Sequence, residues 1–111
     1  MAVKTGSSEH IVDKWLKKAV EDAGGLIFKM HPITNAGIPD RLIHCRGMTF
    51  YVETKETGKP CSDIQIEMHA IIHKRGIAVY VLDQKVKDFW EIFQLAYTTY
   101  EGKHYNKNPF K

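Results

Sequence analysis

Cysteine is scarce in this chain, with two in 111 residues, and they form no CxxC pair. That excludes a disulfide framework and leaves Cys45 and Cys61 as expected free thiols. No apolar run approaches the roughly 18 to 20 residues of a membrane span. The opening "MAVKTGSSEH" lacks the apolar core of a signal peptide. These absences point to an intracellular, cytoplasmic protein with no membrane partner. There are no repeats, no low-complexity segment and no linker that would divide domains. Charge of one sign is also missing: 16 Lys and Arg face 13 Asp and Glu, and a net charge of +3 leans only weakly toward a polyanionic partner.

What is present suits one globular domain over residues 1–111, with 43% hydrophobic residues and enough aromatics for a single core. Residues 8 to about 23 carry Ile11, Val12, Trp15, Leu16, Ala19 and Val20 at helical spacing, with Ser7 or Ser8 as cap and Gly24-Gly25 as stop. Strands are expected at 26–31, 40–45 and 48–55, the last two joined by a tight turn at Arg46-Gly47. A helix follows from Ser62 or Asp63 to about Arg75, with Ile64, Met68, Ile71 and Ile72 as its apolar face. "IAVYVL", 77–82, reads as a strand buried on both faces. Asp83 can cap a last helix at about 85–100, and 101–111 is a basic tail. The order α-β-β-β-α-β-α predicts an α/β fold, a mixed four-stranded sheet with helices on both faces. Its core spans about 8–83.

The chemistry concentrates in "GIPDRLIHCRGMTFYVETKETG". A hairpin turning on Arg46-Gly47 sets Asp40 opposite Glu53, and Lys55 follows on the same face of the strand. Two carboxylates that close are unfavourable unless a cation sits between them. A hard divalent ion with oxygen ligands answers that need. A lysine beside it can stabilise charge developing on a phosphate. These are the parts of a metal-dependent phosphodiesterase. Taken singly, Asp40 suits an ordinary turn after proline, and Glu53 and Lys55 suit a solvated strand face.

Pro39-Asp40 with Glu53-Thr54-Lys55 resembles the PD-(D/E)xK nuclease signature. "GIPDRLI", "VETK" and "SDIQIEMHAIIHKRGIAVYVL" together resemble the virus-type replication-repair nuclease domain, VRR-NUC, over roughly residues 8–83. The resemblance implies a restriction-endonuclease-like core in which Asp40, Glu53 and the Thr54 main-chain carbonyl bind Mg²⁺ or Mn²⁺. It further implies that Glu9 on the first helix completes the metal site and that Lys55 is the catalytic lysine. Gln65 is implied to orient the lysine, the water or a phosphate.

The expectation is a metal-dependent DNA endonuclease, structure-specific on branched DNA such as Holliday junctions and acting as a homodimer. A monomeric flap, fork or single-strand nuclease is the alternative, as is a nucleic-acid-binding module without catalysis. The aromatics of the last helix, Phe89, Trp90, Phe93, Tyr97 and Tyr100, suit either core packing or a dimer interface. Lys29 and Arg41 flank the loop at 32–39, which could track a phosphate backbone or simply connect two strands. His69 and His73, one turn apart in a row with Gln65, are expected on the rim of the cleft near nucleic acid. Zinc is disfavoured because the two histidines lack the glutamate of HExxH. A phage or bacterial origin suits so compact a chain.

Overall fold

A computed structural model describes residues 8–31, 36–85, 98–100 and 103–105. Helix α1 covers Glu9–Asp22 and begins where the Ser8 side chain accepts a hydrogen bond from the Ile11 N–H. Its buried residues Val12, Leu16 and Val20 are spaced by four and so form one stripe. Strands β1 (Leu26–Lys29), β2 (Arg41–Cys45), β3 (Met48–Thr54) and β4 (Ala78–Leu82) form one four-stranded sheet in that order. β1, β2 and β3 are antiparallel neighbours, and β4 joins β3 in parallel through helix α2 (Asp63–His73).

The hairpin between β2 and β3 turns on Arg46 and Gly47, both with positive φ (53° and 79°), the backbone of a type I′ turn. This turn fixes the register from Cys45↔Met48 back to Arg41↔Val52. Asp40 therefore stands one residue ahead of β2, level with Glu53. Because partners across a ladder share a face, Ile43, Cys45, Phe50, Val52, Tyr80 and Leu82 all turn toward α1. They make the core with its buried stripe. Glu53 has the opposite parity and points to the α2 side.

Helix α2 departs from its sequence pattern. The periodicity nominates Ile64 and Ile71 for the inward face, yet they are 50% and 44% exposed, whereas His69 is fully buried. The helix turns its polar row, Gln65 and His69, toward the sheet because Glu53 lies buried beneath it and needs polar neighbours.

The expected last helix is corrected at its end. Thr98–Tyr100 is a strand, β5, paired antiparallel with β6 (Lys103–Tyr105), and β5 runs close to α2 and β4. The β-branched and aromatic Thr-Thr-Tyr run favours extended backbone over helix. The β6 backbone likewise replaces part of the expected tail. Phe89, Trp90, Phe93 and Tyr97 lie outside the described residues, and so does the interface they were expected to form. Among the described residues no helix is long and apolar enough to cross a membrane.

Gly37 opens the loop that delivers Asp40. Its φ is +80°, and a Cβ there would run into the Ile64 carbonyl of α2. Gly47 has a similar φ of +79° but open space around it. Gly47→Ala is expected to cost about 1 kcal/mol from backbone strain alone. Gly37→Ala should cost about 2–3 kcal/mol, since strain and collision add. Urea unfolding of the two variants measures the difference. Equal losses would show that the loop does not depend on close approach to α2.

Candidate metal and catalytic site

Three elements each deliver one carboxylate to the same place. Glu9 comes from the first turn of α1, where the helix dipole favours an acid. Asp40 comes from the mouth of β2 and Glu53 from β3. One oxygen from each lies within 4.8 Å of the other two. The hairpin register accounts for Asp40 and Glu53, and α1 crossing the same sheet brings in Glu9.

Each of the two strand carboxylates is held by named donors. Asp40 Oδ2 accepts the Thr54 N–H at 3.1 Å and the Thr54 hydroxyl at 2.9 Å. Glu53 is 1% exposed, and its Oε2 accepts the Gln65 side-chain amide at 3.2 Å. Glu53 Oε1 has no hydrogen-bond donor, and His69 Nε2 lies 3.6 Å from it. Gln65 is itself fixed by a capping box. Its Oε1 accepts the Ser62 N–H at 2.9 Å, and its own N–H reaches the Ser62 hydroxyl at 3.3 Å. The Ser-x-x-Gln spacing thus starts α2 and aims an amide at Glu53 with the same side chain.

The electrostatics follow from this crowding. Burial, then the neighbouring Asp40, pushes the Glu53 carboxyl up to about 9. Burial and Asp40 also raise Glu9. Lys55, half-buried, opposes the rise in both glutamates, which places its charge beside them. Burial, followed by Lys55, lowers His69 to about 4, so its imidazole is neutral at physiological pH. The chain after Lys55 is tied down by Asp83, expected as a helix cap. Its carboxylate accepts the Gly58 N–H at 3.1 Å and its carbonyl the Thr57 hydroxyl at 2.6 Å.

The donor set fits a divalent cation. It is all oxygen, it comes from three carboxylates, and it includes a buried oxygen that lacks a donor. Cys45 and Cys61 are buried, form no disulfide and lie outside it. A cleft of about 240 Å³ opens beside the trio, lined by Glu9, His10, Asp13, Lys29, Asp40, Arg41 and Thr54.

The expected nucleic-acid contacts divide. Lys29 is exposed on the cleft wall. Arg41 is only 9% exposed and donates to both oxygens of Asp13, at 2.7 and 2.6 Å. Its charge is compensated within the fold. His69 is not on a rim: it lies under Glu53, fully buried, because α2 turns its polar row inward. His73 is half-buried and is not brought to the acidic trio. Gln65 bonds Glu53 and its own cap rather than the lysine. His69 beside Glu53 is the neighbour that sequence reasoning misplaced. Its position four residues after Gln65 was the available signal.

This fold, a mixed sheet carrying an acidic trio and a lysine between two helices, defines a nuclease-type domain. No protein-family model matches the chain, and no curated protein matches it. Among solved structures, one described as a VRR-NUC domain is 30% identical, with a TM-score of 0.63, covering 70% of this chain and 87% of that one. The chain belongs to the VRR-NUC family.

A pH prediction follows from the two buried groups. Glu53 has a folded pKa near 9 against an ordinary 4.5. The folded state therefore holds a proton that the unfolded state releases, and stability falls with rising pH across that window. His69, near 4 against 6.5, has the opposite sign and adds stability as pH rises between those values. The two offset each other up to about pH 6.5. From there to about pH 9 the metal-free protein should lose stability, by at most about 1.4 kcal/mol per pH unit. Glu53→Gln should remove that decline. Thermal melts in a chelator across pH 5–9 measure it, and a flat wild-type profile above pH 6.5 would contradict it.

Proposed function

We propose that this chain is a divalent-metal-dependent DNA endonuclease that hydrolyses phosphodiester bonds. The observation that carries the reading is the convergence of Glu9, Asp40 and Glu53 beside Lys55 in a VRR-NUC fold. A Mg²⁺ or Mn²⁺ ion held by these carboxylates, with the Thr54 carbonyl as a further ligand, would neutralise the scissile phosphate and acidify an attacking water.

The chain's own residues supply the rest. Thr54 holds Asp40 in one rotamer, and Gln65 does the same for Glu53, so the carboxylates are oriented before substrate arrives. Lys55 brings its ammonium to the phosphate, where it stabilises the additional negative charge of the transition state and orients the nucleophile. The exposed Lys29 on the cleft wall meets the backbone of the bound strand.

The finer part of the proposal is that the substrate is branched DNA and the active form an intracellular homodimer. Two sites related by a twofold axis could incise two strands of a four-way junction. The domain is read as one unit over residues 1–111.

Cleavage assays on junction, flap, fork, duplex and single-stranded DNA with Mg²⁺ or Mn²⁺ test this directly. Metal-dependent cutting is expected, with the junction cut fastest. Absence of cleavage with either ion on every substrate would overturn the reading. Lys55→Ala should lower cleavage by at least about 100-fold and leave Mn²⁺ binding intact. Asp40→Asn should instead abolish most of the Mn²⁺-dependent rise in melting temperature. A Lys55→Ala variant that cuts at the wild-type rate would remove the lysine from the mechanism.

A further inference from the structure

The pairing of Arg41 with Asp13 compensates its guanidinium within the fold. Asp13 lies four residues after Glu9 on α1, so the two acids occupy one face of the helix a single turn apart. Arg41 is joined by one peptide bond to Asp40. The planar fork of Arg41 meets both oxygens of Asp13, at 2.7 and 2.6 Å, a two-point contact that fixes direction as well as distance.

Beyond the Ser8 cap, the start of α1 has little else to hold it. Ser8, Glu9, His10 and Ile11 are all exposed, and the first buried side chain is Val12. Without a further tie, the turn that carries Glu9 rests on a helix end, where backbone hydrogen bonds fray most readily. Asp13 and Arg41 also line the cleft together with Glu9 and Asp40.

We propose that the Asp13–Arg41 pair is the positioning device that sets Glu9 of α1 against Asp40 of the sheet. This rests on the reading of Glu9, Asp40 and Glu53 as a metal site. Helix turn, ion pair and peptide bond form one short bridge between two ligands from different elements. Arg41 is a positioning residue, its guanidinium engaged by Asp13. A lysine at 41 keeps the charge but loses the fork, so it separates positioning from simple charge balance.

The test is calorimetric titration of Mn²⁺ into the full chain. Wild type, Arg41→Lys, Asp13→Asn and Glu9→Gln are compared with the two double variants that combine Glu9→Gln with each pair mutation. Circular dichroism confirms that each is folded. Arg41→Lys and Asp13→Asn are each expected to weaken Mn²⁺ binding about tenfold. In the Glu9→Gln background either change should cost less than about twofold, because the group being positioned is gone. If Asp13→Asn fails to fold, Arg41→Lys alone decides. Unchanged affinity in the folded single variants, or a loss that adds in full to that of Glu9→Gln, overturns the proposal and leaves the metal site standing. A wild-type protein that binds no Mn²⁺ overturns both, and the wild-type titration alone reveals it.

Discussion

Carboxylate crowding organises this molecule. Glu9, Asp40 and Glu53 bring an oxygen each to within 4.8 Å, and Glu53 does so at 1% exposure. Like charges at that spacing in a poorly solvated place need either a proton or a cation among them. In the metal-free protein burial and Asp40 raise Glu53 to about 9, which means that a proton fills the role. Much of the surrounding architecture serves this arrangement. Thr54 binds Asp40, the α2 cap aims Gln65 at Glu53, and the neutral His69 lies behind it. A fold that only needed stability would place apolar groups at these positions, since buried charge is costly to hold.

The same constraint explains what could be read in the sequence. The sheet was legible because β2, β3 and β4 carry strong local signals, and Arg46-Gly47 is a turn that admits one register. From that register the juxtaposition of Asp40 with Glu53 follows by counting, and the VRR-NUC resemblance supplied Glu9. What stayed hidden depends on contacts between distant elements. Charge alone made Arg41 look like a phosphate contact, and nothing local links it to Asp13, 28 residues earlier. His69 sat in a row that looked like the polar side of an amphipathic helix. The helix faces inward by its polar row because of Glu53, and hydrophobic periodicity cannot anticipate a buried carboxylate. The end of the chain failed for a different reason. Aromatics at helical spacing suggested a helix through residue 100, and local antiparallel pairing of Thr98–Tyr100 with Lys103–Tyr105 prevailed over that pattern.

Two economies stand out in how the site is built. Gln65 closes a capping box and bonds a candidate ligand with opposite ends of one amide. Thr54 occupies the last position of β3 and holds Asp40 with both its main-chain and side-chain donors. In each case the residue that ends or begins an element also orients the chemistry. Local folding and site geometry are therefore hard to vary independently, and substitutions here should disturb both together.

Under the proposed function, this acidic trio exchanges a proton for a divalent ion. Calorimetry of Mn²⁺ binding at pH 7.5, run in buffers of different ionisation enthalpy, counts the protons released. With Glu53 near 9 in the metal-free state, about one proton should leave for each ion bound. Binding without proton release, or no binding at all, would rule out that exchange.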